Sequence, residues 1–120
     1  MKPDKQNGPI ISHTDELSEI LTAHNSGTKK VLLNNEHSGN AITQIALGKL
    51  EPGESVESHL HKTMKEYFYF TEGFGQYLIE GQVHELSKGS FVIIPEKTEH
   101  ALINTGDVPL IFFYFGIAND

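Results

Sequence analysis

The sequence predicts an all-β domain with one short helix near its N-terminus. Three observations support this fold class. Most of the chain after residue 30 consists of short runs rich in β-branched and aromatic residues. Turn residues such as Pro52-Gly53 and Glu80-Gly81 separate these runs at regular intervals. A chain of 120 residues is long enough for one hydrophobic core but not for two. We therefore expect a single antiparallel sandwich or barrel.

The N-terminal region is predicted to contain a tail and then the helix. Residues 1–13 are interpreted as a flexible tail, because they begin with a polar, Pro- and Gly-containing stretch. From Thr14 to about His24 the pattern becomes helical, with Leu17, Ile20 and Leu21 on one face. Thr14 is the candidate N-cap of this helix. The helix is expected to pack on the outside of a domain that spans residues 14–120.

Nine strands are predicted in the rest of the chain. Each is a β-branched or aromatic run that turn residues bound on both sides. The segment Glu80-Gly81-Gln82 lies between two of these runs and is expected to form a tight hairpin. The predicted strands are Val31–Leu33, Ala41–Leu50, Ser55–His61, Tyr67–Thr71, Gln76–Glu80, Gln82–Leu86, Phe91–Ile94, His100–Asn104 and Leu110–Phe115.

The composition excludes several classes of protein. The chain has no cysteine, which excludes disulfide scaffolds, iron–sulfur proteins and thiolate metal sites. Its formal net charge is −7 and all nine basic residues are lysines, which argues against nucleic-acid binding. The longest apolar run, Leu110–Ile117, is too short for a membrane-spanning helix, and residues 1–9 lack the apolar run of a signal peptide. We therefore expect a soluble cytoplasmic protein that binds neither nucleic acid nor membranes.

Two histidines and a glutamate form the first candidate metal-binding segment. His59 and His61 are two residues apart on a predicted strand, so both imidazoles project from one face. Val56 and Leu60 are expected to point the other way. After a short connection Glu66 begins the next strand, and a hairpin-like return would bring it beside the imidazoles. Neutral nitrogens and a carboxylate suit one divalent transition metal such as Fe, Mn, Ni, Zn or Cu.

A second segment offers one further ligand. His100 opens a strand after a turn that contains Pro95, and it shares a face with Leu102 and Asn104. His100 can therefore face the same interior as the first segment. The other four histidines have no comparable neighbours and are interpreted as surface residues: His13, His24, His37 and His84.

These two segments resemble the two motifs of the cupin family. The first motif, G(x5)HxH(x3–4)E(x6)G, spans residues 53–73 and is matched by Gly53, His59, His61, Glu66 and Gly73. The second motif, G(x5)PxG(x2)H(x3)N, spans residues 89–104 and is matched by Gly89, Pro95, His100 and Asn104. Lys97 stands where the second motif has glycine, a departure that concerns the turn before His100.

The resemblance implies a fold, a metal site and an assembly. The fold would be a double-stranded β-helix, which is a jelly-roll barrel. The barrel would hold one metal ion through His59, His61, Glu66 and His100, and cupins frequently dimerise.

Apolar residues on the predicted outer face also indicate a homodimer. If Glu66 points inward, strand alternation turns Phe68 and Phe70 inward as well. Tyr67 and Tyr69 then face outward. Together with parts of the last strand they would leave apolar surface suited to a dimer interface.

The first functional hypothesis is a metal-dependent enzyme that acts on a small organic molecule, either an oxygenase or an isomerase-like enzyme. The predicted cavity is mostly apolar, with Gln44, Gln76 and Tyr114 as candidate polar groups. No catalytic residue besides the ligands is identified, although Tyr114, Glu80 and His84 are weak candidates for proton transfer. The absence of arginine favours a small neutral or enolisable substrate, although a lysine can replace a guanidinium as a point charge. The alternatives are a non-catalytic binding or sensing cupin and a cupin whose metal is structural or adventitious.

Overall fold

Two facing antiparallel sheets make up the architecture in the computed structural model, which describes residues 9–23, 26–38 and 40–119. The six-stranded sheet has the order β1-β2-β3-β10-β5-β8, and the four-stranded sheet has the order β4-β9-β6-β7. The strands are β1 (Ile20–Leu21), β2 (Thr28–Asn34), β3 (Ile42–Leu50), β4 (Ser55–His59), β5 (Met64–Glu72), β6 (Gly75–Ile79), β7 (Gln82–Leu86), β8 (Phe91–Ile94), β9 (His100–Asn104) and β10 (Leu110–Ala118). A four-residue helix, α1 (Asn35–Ser38), connects β2 to β3, and no helix in the described part of the chain is long and apolar enough to span a membrane.

The hydrophobic core lies between the two sheets. Strand β5 shows the predicted alternation, because Phe68 and Phe70 are buried while Tyr69 is 46 % exposed. Glu66 shares the buried face and Tyr67 is half-buried, so the predicted inward and outward sets are confirmed. The rest of the core comes from both sheets: Leu50, Tyr77, Leu86, Ile94, Leu102, Leu110 and Phe112.

An irregularity in β4 corrects one prediction about side-chain direction. Val56 pairs with Leu102 and His59 pairs with His100, so four residues of β4 (56–59) lie opposite three residues of β9 (100–102). Such a bulge breaks the two-residue alternation. Val56 therefore packs against the core and lines the same cavity as His59, which contradicts its predicted outward position.

The predicted helix from Thr14 to about His24 is wrong. Thr14–Glu16 form a single 3-10 turn, and the side chain that caps it is that of His13, not of Thr14. The next apolar residues, Ile20 and Leu21, form β1 and pair with Lys29 and Thr28 of β2. An isolated helix of this length is marginal in water, so hydrogen bonding to an available strand prevails over the amphipathic pattern. His24 itself lies outside the described residues.

The tight hairpin predicted at Glu80-Gly81 is present between β6 and β7. Both residues have positive φ, 49° at Glu80 and 79° at Gly81. This combination is the type I′ turn that matches the twist of two hairpin strands. The fold therefore keeps its predicted connection at this point.

Lys97 keeps the turn before His100, although the second motif has glycine at its position. The Lys97 backbone adopts φ = 60°, in the left-handed region that glycine occupies at little cost. Its N–H donates a hydrogen bond to the carbonyl of His61 at 2.7 Å. The turn thus fastens β9 to the chain beside the first candidate segment, and a lysine Cβ is tolerated at some cost in strain.

Replacing Lys97 with glycine is expected to raise the free energy of unfolding by about 1 kcal/mol, because the left-handed conformation is strained for lysine and not for glycine. Chemical denaturation of the two proteins measures the difference. Lys88→Gly provides the comparison, since Lys88 is exposed and does not have a positive φ. An unchanged or lower stability of Lys97→Gly would contradict this account of the turn.

Candidate metal centre

The structure brings the four predicted ligands together at one end of the barrel interior. His59 ends β4, His61 follows it, Glu66 lies on β5 of the opposite sheet, and His100 opens β9. His59 and His100 are direct partners across the β4–β9 pair. One candidate ligand atom from each of the four residues lies within 4.8 Å of all the others. Such a cluster is typical of the cupin metal site.

Backbone carbonyls orient two of the imidazoles. His59 Nδ1 lies 2.8 Å from the carbonyl oxygen of Glu57, and His100 Nδ1 lies 2.8 Å from that of Thr98. An Nδ1–H that donates to a carbonyl leaves the lone pair on Nε2. This outer hydrogen bond fixes both tautomer and ring direction in metal-ligating histidines. Each of these two rings is therefore prepared to offer Nε2 as a ligand.

The spacing of the cluster suits a bound cation better than direct hydrogen bonds between its own side chains. Glu66 Oε1 lies 3.4 Å from His61 Nε2 and 3.5 Å from His100 Nε2, too far for good hydrogen bonds. His100 is only 2 % exposed, and its Nε2 has no hydrogen-bond partner among the described residues. A buried polar atom without a partner is costly. A transition metal bound between the imidazoles and the carboxylate would satisfy His100 Nε2.

A cavity of about 180 Å³ opens onto this cluster. Its volume is close to that of a roughly 150 Å³ engineered cavity that binds benzene, so it has room for one small organic molecule. The polar groups on its wall besides the cluster include Lys29, Gln44, Tyr77 and Tyr114. Most of the remaining wall is apolar, with Val56, Met64, Phe68, Leu102 and Phe112.

The two tyrosine hydroxyls beside the cluster are held in their protonated form. Burial raises the pKa of Tyr114 to about 12, and the negative charge of Glu66 adds to the shift. Burial also raises the pKa of Tyr77 well above its usual value, with smaller contributions from Glu66 and Tyr114. The Tyr114 ring stacks on Phe68 with centroids 5.3 Å apart, which fixes its direction. Both hydroxyls therefore act as hydrogen-bond donors at neutral pH and not as bases.

Some of the polar residues nominated from the sequence line the cavity, and others do not. Gln44 and Tyr114 line the cavity as predicted. Gln76 does not, because its amide donates to Glu85 on the exposed face of the β6–β7 pair. The weak proton-transfer candidates Glu80 and His84 are exposed and do not line the cavity either.

The structure describes the side chains of two of the four histidines that were assigned to the surface. His13 and His84 are exposed, as predicted. His24 and the side chain of His37 lie outside the described part of the structure.

Lys29 and Tyr77 are polar cavity residues that sequence reasoning missed, and Lys29 shows why. The segment before Val31 lacks an apolar run, so the predicted strand begins two residues after Lys29. In the structure β2 begins at Thr28, and Lys29 pairs with Gly48 of β3. The apolar residues 31–33 could have revealed it. A strand of ordinary length that contains these three residues extends beyond them on both sides and so approaches Lys29.

Comparison with known proteins agrees with this geometry. The family model described as Cupin domain matches residues 46–116, which is more than half of the chain and contains all four cluster residues. The chain belongs to the cupin family.

Relatives of this cupin extend over most of its length. It is 31 % identical over 102 residues to the uncharacterized protein MJ1618 of Methanocaldococcus jannaschii, covering 84 % of this chain and 80 % of that one. It is 33 % identical over 64 residues to a 5-nitrosalicylic acid 1,2-dioxygenase of Bradyrhizobium, covering 53 % of this chain and 30 % of the enzyme. A predicted oxalate decarboxylase from Thermotoga maritima has the same fold, with a TM-score of 0.83 and 24 % identity over 91 % of this chain and 99 % of that one.

Proposed function

We propose that this cupin is a metal-dependent enzyme that acts on a small organic molecule, with His59, His61, Glu66 and His100 as the ligands of one divalent Fe, Mn, Ni, Zn or Cu ion. The observation that carries the proposal is the buried Nε2 of His100, which has no hydrogen-bond partner among the described residues and lies in a cluster that opens onto a cavity. A purely structural metal site is usually closed by its protein ligands, whereas a catalytic site keeps a position open toward substrate.

The residues of the chain have separable tasks in this proposal. Three imidazoles and one carboxylate would hold the ion, and an ion that takes six ligands would keep positions for substrate. A bound ion of this kind activates O₂ against a chelating substrate or polarises a carbonyl, which are the chemistries of an oxygenase and of an isomerase-like enzyme. The apolar wall excludes water, and the protonated Tyr77 and Tyr114 donate hydrogen bonds to a developing negative charge on the substrate.

The oxygenase branch draws support from one relative. The 5-nitrosalicylic acid 1,2-dioxygenase shares a third of its residues with this chain over the matched segment. The matched segment covers 30 % of that enzyme, so the proposal takes from it the class of reaction and not the substrate. The two proteins are similar over 64 residues, and this chain belongs to the cupin family.

One observation favours a second candidate, a non-catalytic binding or sensing cupin. Among the described residues that line the cavity, the only carboxylate and the only imidazoles are those of the cluster. A reaction that needs a carboxylate or an imidazole as a separate general base therefore has none on this wall. A sensor requires the cavity and the ligand but no proton transfer, so this wall suits it equally well.

Metal analysis of freshly purified protein, followed by chelation, separates these candidates. The enzyme proposal expects close to one metal ion per chain, and turnover of a small chelating compound that stops on chelation and returns when the metal is restored. Oxygen consumption with that compound would identify the oxygenase branch. A metal-free preparation that binds small molecules with full affinity would overturn the enzyme proposal in favour of the sensor.

We further propose that this cupin forms a homodimer through the outer face of the six-stranded sheet. Phe91 and Ile93 of β8 are 60 % and 45 % exposed, beside the exposed Tyr69 of β5. β8 is the last strand of the described sheet, so its outer edge is also available. Contiguous aromatic and aliphatic residues at a sheet edge are typical of an interface.

Replacing Phe91 with glutamate is expected to convert the dimer to a monomer, because a charge would be buried without a partner at the interface. Light scattering after gel filtration measures the mass. The matched control is Val83→Glu, since Val83 is 55 % exposed on the edge strand β7 of the other sheet. A wild-type protein that is monomeric at micromolar concentration would contradict the proposal, and so would a dimer that Val83→Glu alone disrupts.

A further inference from the structure

Lys29 projects into the cavity although it lies on a strand near the edge of the sheet. Its partner in the β2–β3 pair is Gly48, and directly paired residues present their side chains on the same face. A Cβ at Gly48 would collide with the buried ring of Phe112, so this face is the interior one. Lys29 is half-buried there, and its Nζ donates to Gln44 Oε1 at 3.1 Å. Lys29 and Gln44 line the same cavity as the metal cluster.

No carboxylate in the described part of the structure balances the charge of Lys29. Among the described residues, no carboxylate oxygen lies within 4 Å of Lys29 Nζ, and its hydrogen-bond partner is a neutral amide. Lys49 shows the usual alternative, because its Nζ lies 3.0 Å from Glu19 and 3.6 Å from Glu51. An ammonium has three donors, so Lys29 has capacity for an acceptor other than Gln44.

The loaded cavity would carry a net positive charge. Glu66 supplies the only carboxylate on the described wall, and one carboxylate does not neutralise a divalent ion. Lys29 adds a further positive charge to the same wall. Because the cavity is small and mostly apolar, these charges are screened less than they would be on an open surface. A neutral molecule would leave the excess charge uncompensated.

We propose that Lys29 and Gln44 bind the anionic end of the substrate and that the substrate is a small carboxylate whose other end reaches the metal. This inference rests on the proposed function, because it assigns a substrate class to the same cavity. The Lys29 ammonium pairs with one carboxylate oxygen, and the Gln44 NH₂ group donates to the other. The absence of arginine therefore does not select a neutral substrate, since Lys29 supplies the point charge.

The volume of the cavity limits this substrate further. At about 180 Å³ it accommodates a molecule near the size of benzene. A molecule that fills the cavity contacts both the cluster and Lys29, because both line it. Short dicarboxylates and small carboxylates with a second oxygen donor fit this requirement.

The test compares malonate with malonamide, in which both carboxylates are replaced by neutral amides of nearly the same shape. Calorimetric titration of the manganese-loaded protein, whose ion takes six ligands and so keeps positions open, gives the ratio of the two dissociation constants. We expect Lys29→Met to reduce the preference for malonate by about 10- to 100-fold, the range for a hydrogen bond to a charged group. The matched control is Lys30→Met, because the neighbouring Lys30 directs its Nζ to the carbonyl of Thr14 and does not line the cavity.

Each outcome of this titration decides the proposal. A malonate preference that Lys29→Met lowers and Lys30→Met leaves unchanged supports it. An equal loss in both variants would show a general effect of net charge, and no loss in Lys29→Met would show that the anion is bound elsewhere; either result overturns it. If Lys29→Met does not fold, Gln44→Glu serves instead, since a carboxylate beside Nζ should remove the preference for malonate.

A metal-free arm separates this inference from the proposed function. If the protein binds no metal, the proposed enzyme is wrong, but malonate affinity of the metal-free protein still reports on Lys29. In that arm Lys29→Met should weaken malonate binding at least 10-fold relative to Lys30→Met. Equal affinities of the two variants would reject Lys29 as the anion-binding residue.

Discussion

His61→Ala is expected to lower the affinity of the protein for a divalent transition metal by more than about 100-fold. Mutation of a residue that only orients a metal ligand already lowers metal affinity by about 10- to 100-fold, and His61 is a proposed ligand itself. His61 is suited to this test because its side chain is 32 % exposed, so its removal leaves a smaller void than removal of His100, which is 2 % exposed. Its Nε2 is one of the two nitrogens beside Glu66 Oε1. Metal content after dialysis against a metal buffer gives the change in affinity.

The control for this variant is His84→Ala. His84 is exposed on β7 and lies outside the cluster, so its loss removes the same chemical group from the surface. We expect His84→Ala to retain the metal and to keep the rise in melting temperature that metal binding confers. Retention of metal by His61→Ala at the wild-type level would show that the ligand set is wrong.

The cluster was predictable because it depends on local spacing. His59 and His61 needed only an extended segment to share a direction, and Glu66 needed only a return of the chain after four residues. The structure places His59 opposite His100, which no spacing within one segment specifies. The two motifs supplied that long-range relation through their resemblance to the cupin family.

Side chains whose direction depends on strand pairing were less predictable. Val56 was assigned to the outer face because simple alternation from His59 places it there, but the bulge in β4 turns it inward. Lys29 was not considered because the strand predicted from the apolar run begins two residues later, at Val31. Only its pairing with Gly48 shows that this face is interior. Neither a bulge nor a register can be derived from one segment alone.

The incorrect prediction of a helix near the N-terminus has a related cause. Leu17, Ile20 and Leu21 satisfy a helical period, yet three residues in so short a window also fit an extended segment beside a strand. The choice between them depends on whether an unpaired edge is nearby. β2 offers that edge to Ile20 and Leu21.

Asn104 is a motif residue whose role the sequence analysis leaves unassigned. It was predicted to share a face with His100, and both are buried, but Asn104 does not belong to the metal cluster. Its Nδ2 donates to the carbonyls of Leu50 and Val108, each at 2.9 Å, and its Oδ1 accepts from the N–H of Gly106 at 2.8 Å. These bonds join the end of β3 to the connection between β9 and β10. The role of this motif residue is therefore structural.

Asn104→Ala is accordingly expected to lower the free energy of unfolding by about 3 kcal/mol or more, because it leaves buried carbonyls and an N–H without partners. Asn104→Asp should cost at least as much, since a carboxylate oxygen would replace the NH₂ group that faces two carbonyl oxygens. Urea denaturation at fixed protein concentration, with metal removed by a chelator, measures both values.

Asn119→Asp makes the same substitution at an exposed site and should change stability little. Metal affinity of the folded Asn104 variants should equal that of wild type; a large loss of metal affinity without a loss of stability would assign Asn104 to the site after all.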